Sequence, residues 1–225
     1  MKLHVKTIAM TIAAALLTLP VGAQDRQALP SGQSKEELFG SVLRNSRWKT
    51  SSISVCWLDM APENAPHRAL VRRAVAETWE HHGPIKFTGW GACGSAPVGI
   101  RIRVADETAA PHVEWIGRFI NNRNPGMTLN FGFTKWRTEC QQTVDSCIYA
   151  IAVHEFGHAL GFTHEQNRSD APDTCKELEQ GAVGDYQVTR YDPNSIMNYC
   201  NANWRGNGQL SALDIEALRT FYKAA

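Results

Sequence analysis

The stretch His154-Glu155-Phe156-Gly157-His158-Ala159-Leu160-Gly161-Phe162-Thr163-His164-Glu165 concentrates the groups in this chain that can do chemistry. On a helix, positions i and i+4 project to nearly the same side, so His154 and His158 can offer imidazole nitrogens to one ion. Glu155 sits one step round the helix, off the ligand face but within reach of water at that ion. Gly161 permits a left-handed turn that ends the helix, after which the chain can swing His164 back as a third ligand. Three neutral imidazoles with one open position suit a catalytic zinc, whereas a structural zinc is closed by four protein ligands. Water at such an ion is acidified to a pKa of about 7, and Glu155 is placed to take its proton. The alternative, satisfied residues on a buried helix, needs a separate explanation for each histidine and for the glutamate. His67, His81, His82 and His112 read as solvated or helix-end residues.

The elements that must position these groups follow from periodicity. Residues 53–57 alternate and read as a strand, with further short strands expected at 85–87, 100–104, 112–116 and 127–133. Leu70, Val71, Ala74, Val75 and Trp79 recur at helical spacing, which predicts a helix over 67–82 stopped by Gly83-Pro84. Residues 140–147 read as a loop. Asp145-Ser146 then offers an N-cap to a strongly apolar helix over 148–160, ended by Gly161. An irregular stretch runs to about Tyr199. The final segment, 210–222, reads as a helix capped by Ser211 and buried on Leu213, Ile215, Leu218 and Phe221. Strands and a helix first, then irregular backbone and a last helix, indicate an α+β fold split by a cleft.

Composition narrows the function classes. The chain has 225 residues with Lys+Arg 23 against Asp+Glu 22, and 43% of it is hydrophobic, so neither a basic nucleic-acid surface nor a disordered chain is expected. Lys2 and Lys6, an apolar run over 8–19 and the small residues Val21-Gly22-Ala23 form the pattern of a secretory signal cut before Gln24. The expected organisation is therefore a signal peptide over 1–23, an arm or short prosegment over 24–47, and a catalytic domain over 48–225. The exported protein is expected to be a monomer with no membrane attachment once the signal is removed. Six cysteines lie beyond that signal, an even count that reads as three disulfides in an exported chain. Cys140 and Cys147 can close a small loop by themselves, and Cys56–Cys93 with Cys175–Cys200 is the expected pairing of the rest.

H-E-x-x-H-x-x-G-x-x-H followed by a methionine turn resembles the metzincin zinc endopeptidases, and the turn is present as Ser195-Ile196-Met197-Asn198-Tyr199. Tyrosine two residues after the methionine, and Glu165 directly after the third histidine, are similar to the astacin branch. The likeness extends to Gln166-Asn167-Arg168, Tyr191-Asp192 and Leu210-Ser211-Ala212-Leu213-Asp214-Ile215. It implies a zincin-like domain with a twisted five-stranded mixed sheet, an active-site helix and a smaller carboxy-terminal part carrying the methionine turn. It also implies that His154, His158 and His164 bind one Zn2+, with Glu155 as general base and then acid. Tyr199 would be a loosely held fifth ligand that swings away to hydrogen-bond the oxyanion, and Met197 an apolar floor beneath the metal.

In this resemblance the 112–117 segment takes the place of an antiparallel edge strand, whose edge can hold a peptide by main-chain hydrogen bonds; an ordinary internal strand is the other reading. Trp115, Gly117 and Arg118 are therefore candidate substrate-binding residues. Arg205, shortly after the turn, would favour an acidic residue after the scissile bond; a solvated surface arginine is the other reading.

The expected activity is a secreted zinc-dependent endopeptidase acting on protein or peptide substrates. The alternatives are a secreted non-catalytic module braced by zinc, such as a toxin-like protein, or a protease of another metzincin branch. Two features depart from the astacin pattern. Leu38-Phe39-Gly40-Ser41 lacks the aspartate with which astacin prosegments block zinc, and the 170–192 stretch with Cys175 has an unfamiliar spacing.

Overall fold

Ile53, Val55 and Trp57 turn inward and Ser52 and Ser54 outward along β1 (Ser52–Trp57), the alternation a half-buried strand requires. In the computed structural model, which describes residues 42–96, 98–178 and 180–223, this strand lies within a five-stranded mixed sheet. Its other members are β2 (Lys86–Ala92), β3 (Ile100–Val104), β4 (His112–Val113) and β5 (Met127–Leu129), in the order β2-β1-β3-β5-β4. β1 pairs parallel with both β2 and β3, and β3 pairs parallel with β5. β4 alone runs antiparallel, with His112 opposite Thr128 and Val113 opposite Met127, and forms the edge. The expected signal and most of the expected arm, including Leu38-Phe39-Gly40-Ser41, lie outside the described residues.

The helix expected over 67–82 is two helices. α1 (Ala65–Glu77) stops at Thr78, whose backbone leaves helical geometry and whose Oγ1 donates to the carbonyl of Ala74 at 2.6 Å. α2 (Trp79–His82) resumes and ends at Gly83. The break lets Trp79 bury completely and donate its Nε1 to the carbonyl of Val153, tying this layer to the third helix.

That helix, α3 (Val144–Ala159), begins earlier than the expected 148, and the Asp145-Ser146 cap is not what starts it. A 3₁₀ turn over Thr138–Gln142 leads into it, the Cys140–Cys147 disulfide bridges its first turn, and Cys147 N donates to Thr143 O. Asp145 instead lies within the first turn, where a carboxylate complements the helix dipole. From Ile148 on, α3 is apolar on nearly every side and runs through the middle of the molecule. Phe156 packs edge-on against Phe87 of β2 at 4.9 Å and stacks on Trp90 at 5.6 Å, which fixes the helix's rotation over the sheet.

The last helix, α5 (Ala212–Phe221), carries a capping box in which Ser211 and Asp214 satisfy each other's backbone N–H. Leu218 and Phe221 are buried as expected, whereas Leu213 and Ile215 are half-buried and Asp214 is buried in their stead. All three expected disulfides are formed. Among the described residues no helix is long and apolar enough to cross a membrane.

Candidate active site

His154 and His158 leave α3 one turn apart, and the helix then ends. Gly161 adopts φ +104°, a left-handed conformation that side chains oppose, and a Cβ there would also meet Ser46 Oγ at 2.6 Å. The reversal brings His164 back so that its Nε2 lies 3.3 Å from His154 Nε2 and 3.1 Å from His158 Nε2. Each ring is held from behind through Nδ1. His154 donates to the carbonyl of Ile196 at 2.8 Å, His158 to that of Phe162 at 2.8 Å, and His164 to that of Gln180 at 3.0 Å. Carbonyls only accept, so each proton resides on Nδ1 and three Nε2 lone pairs converge on one point.

This donor set fits zinc. Zn–N bonds of about 2.0–2.1 Å imply tetrahedral N···N edges of about 3.3 Å, and lone pairs brought this close repel unless a cation lies between them. Burial keeps the imidazoles neutral: it holds His154 and His164 well below the usual histidine range and pushes His158 down to about 4, and Arg205 disfavours the imidazolium form further.

The methionine turn forms the floor. Met197 is buried against Gly157, where a Cβ would meet Met197 Sδ at 2.5 Å, so the glycine between Phe156 and His158 is a space requirement. Asp214 of α5 accepts from Ser195 Oγ at 2.6 Å and from Ile196 N at 3.0 Å, holding the turn whose Ile196 carbonyl anchors His154. Glu165 N donates to Met197 O, and Glu165 Oε1 accepts from Asp192 N at 2.8 Å. The Tyr199 ring lies 4.5 Å from that of His164 and 5.6 Å from that of His154.

A cleft opens over the histidines, lined by Glu155, His158, His164 and Tyr199 on one side and Pro111, His112, Val113 and Ile116 on the other. The edge strand β4 therefore borders the candidate metal position. Trp115, Gly117 and Arg118 are not brought to it. The last backbone bond to the neighbouring strand segment is Glu114 N to Gly126 O at 2.8 Å, and Gly117 at φ +57° turns the chain away into a 3₁₀ turn. Gly117 packs on Ser46, Arg118 Nε donates to Asn45 O at 2.8 Å, and Trp115 carries the guanidinium of Arg123 on its face at 4.3 Å. Gly117 and Arg118 thereby brace the amino-terminal segment, and Ile116, which was not among the candidates, is the residue of this stretch that lines the cleft.

Arg205 is not a solvated surface residue: it is 5% exposed. It sits in a left-handed turn at φ +47°, with its guanidinium 5.2 Å from the Tyr199 ring and 5.6 Å from the Trp204 ring. Among the described residues its Nε and Nη1 have no hydrogen-bond partner. It lines a second cavity with Ala110, Trp136, Arg137, Gln180, Tyr199 and Trp204, adjoining the cleft at Tyr199. Gly181 and Ala182 of the main cleft, and Trp136 and Arg137 of this second cavity, were not indicated by sequence reasoning, because none lies in a periodic element or a motif.

The mixed sheet with one antiparallel edge, the three-histidine centre on a broken helix and the methionine floor together give the chain an astacin-like metzincin fold. Residues 132–220 match the model of the Astacin peptidase family. The chain is 24% identical over 184 residues to Blastula protease 10 of Paracentrotus lividus, a match covering 75% of this chain and 28% of that protein. It is 32% identical over 118 residues to Zinc metalloproteinase nas-2 of Caenorhabditis elegans, covering 45% of this chain and 39% of the relative. The chain thus spans less than half the length of these relatives. In fold it is similar to myroilysin, with a TM-score of 0.60 and 23% identity over 83% of this chain and 100% of that one. It is also similar to High choriolytic enzyme 1, a hatching enzyme zinc-protease of Oryzias latipes, with a TM-score of 0.53 and 16% identity over 86% and 98% of the two chains.

Proposed function

We propose that this chain is a secreted zinc endopeptidase in which His154, His158 and His164 hold one Zn2+ and Glu155 moves the proton. The observation that carries the reading is the convergence of three Nε2 atoms, each backed by a carbonyl on Nδ1, at the floor of a cleft that Glu155 lines. Zinc bound there supplies Lewis acidity, lowering the pKa of water to about 7 and polarising a peptide carbonyl.

The chain's own groups do the rest. A peptide lying along the edge of β4 is held by main-chain hydrogen bonds and brought across the histidines. Glu155 takes a proton from the attacking water and returns it to the departing amine as the C–N bond breaks. The Tyr199 hydroxyl hydrogen-bonds the oxygen on which negative charge develops. Met197 keeps the space beneath the histidines apolar and filled. Arg205, desolvated and short of acceptors among the described residues, receives an acidic side chain following the scissile bond. Export through a signal peptide over 1–23 is supported by the Lys-flanked apolar run there and by the three disulfides.

Glu155→Gln tests the mechanism. The variant is expected to retain the parent's stoichiometric zinc by elemental analysis while peptide cleavage falls by about 10²–10⁴-fold. Turnover at the parental rate would overturn the assignment and favour a zinc-braced, non-catalytic module.

A further inference from the structure

The three histidines differ in what backs them. His158 donates to Phe162 O, only four residues away, and His154 donates to Ile196 O in the turn that Asp214 secures. His164 donates to Gln180 O, in the irregular 170–192 stretch that carries the short helix α4 (Asp173–Lys176). A carbonyl there orients an imidazole only if something orients the carbonyl.

The Asn167 side chain is placed to do so. Its Nδ2 donates to Gln180 O at 2.7 Å and to Ala182 O at 3.0 Å, and its Oδ1 accepts from Gln180 N at 3.1 Å. The amide thus grips both the N–H and the carbonyl of one backbone residue, and Gln180 O is shared between Asn167 and His164. The neighbouring Gln166, fully buried, binds the same loop to the other side of the site. Its Nε2 donates to Leu178 O at 3.4 Å, and its Oε1 accepts from Tyr199 N at 3.1 Å. Cys175–Cys200 ties the start of the loop covalently to the residue after Tyr199.

We infer that Asn167 is a positioning residue of the metal centre, fixing through the Gln180 backbone the carbonyl that sets the tautomer and direction of His164. The inference rests on the zinc reading above. Asn167 touches neither metal nor substrate; it acts on the partner of a ligand, and such partners set metal affinity through ligand orientation and basicity. The same grip places Gly181 and Ala182 on the cleft wall, so the loop contributes to ligand geometry and to substrate space together.

Asn167→Asp in the full chain isolates the effect. It keeps the shape but, ionised, offers only acceptors to two carbonyls that need donors. Asn167→Ser shortens the group and removes the two-sided grip without adding charge. Zinc affinity is read by competition with a chromophoric chelator, and ligand geometry by the visible spectrum of the Co2+-substituted protein. Both variants are expected to hold zinc about 10–100-fold more weakly than the parent and to show an altered Co2+ spectrum. If Asn167→Asp does not fold, Asn167→Ser decides by the same two readouts. Variants that hold zinc within about twofold of the parent, with an unchanged spectrum, overturn the inference even if they melt at lower temperature, since a purely structural asparagine would do that. A parent that binds no stoichiometric zinc overturns the functional reading and the inference with it.

Discussion

Arg205 is a cation drawn out of water and, among the described residues, left with two N–H positions unanswered, a costly arrangement for a residue that only fills space. Its left-handed backbone adds strain that the turn must maintain. Both costs are offset if a carboxylate arrives from outside, because charge-assisted hydrogen bonds contribute about 1.5–3 kcal/mol each. Peptides with Asp or Glu after the scissile bond are therefore expected to be cleaved about 10–100-fold more efficiently than the same peptides with Ala or Leu. Arg205→Gln should erase that preference by lowering kcat/KM for the acidic set alone. Equal losses on both sets would assign Arg205 to packing under Tyr199. At this scale the sequence was most legible where chemistry is encoded in spacing along one element: His154, Glu155, His158 and, through Gly161, His164. It was least legible for Asn167 and Gln180, whose roles lie in backbone contacts across an aperiodic stretch, and for Trp115, Gly117 and Arg118, which a turn at Gly117 carries away from the cleft.

Among the elements, the segment after His164 matters most for holding the site together. Arg168, with no exposed side-chain surface, donates Nε and Nη2 to the two oxygens of Asp170 at 2.8 Å each and also lies 3.3 Å from Glu165. The hydrogen bonds from Arg168 hold the Asp170 carboxyl below its ordinary value of 3.8. A carboxylate whose pKa is depressed by folding contributes stability that is present above its unfolded value and lost as pH falls through the folded one. The parent should accordingly lose part of its stability on acidification below about pH 4. Asp170→Asn should lack that part of the acid loss and be less stable at pH 7 by about 1–2 kcal/mol. This is less than for a fully buried pair, because the Asp170 side chain is 41% exposed. Melting temperatures of both proteins between pH 3 and 7 check this; parallel curves would sink it. β1, β3 and the capped α5 were legible because their patterns are local. The break at Thr78 and the early start of α3 were not, since the burial of Trp79 and the Cys140–Cys147 bridge decide them.

At the scale of the molecule, the packed body begins before the expected domain start at residue 48. Val42 is fully buried and bridges both Phe162 and Tyr186, and Leu43 N donates to Gly161 O at 3.0 Å. Arg47 Nη1 reaches the carbonyl of Phe221 at 3.2 Å. The segment thus clamps the turn that delivers His164 to the last helix. A chain begun at Trp48 should melt roughly 3–12 °C below one begun at Gln24, given about 1.5–3 kcal/mol for burying one valine and about 2–4 °C per kcal/mol at this size. Coincident melting curves would show that residues 42–47 contribute nothing to the body.

By itself the sequence picked out the histidines that the structure brings together and the fold class, because helical spacing, a left-handed glycine and strand alternation act over a few residues and are written in order along the chain. Only the tertiary structure decided which carbonyl backs each imidazole, that Arg205 is buried beside Tyr199, that Ile116 and not Trp115 faces the cleft, and that Asn167 reaches Gln180. Those outcomes depend on burial and on hydrogen bonds between segments far apart in sequence, and neither leaves a periodic trace in the chain.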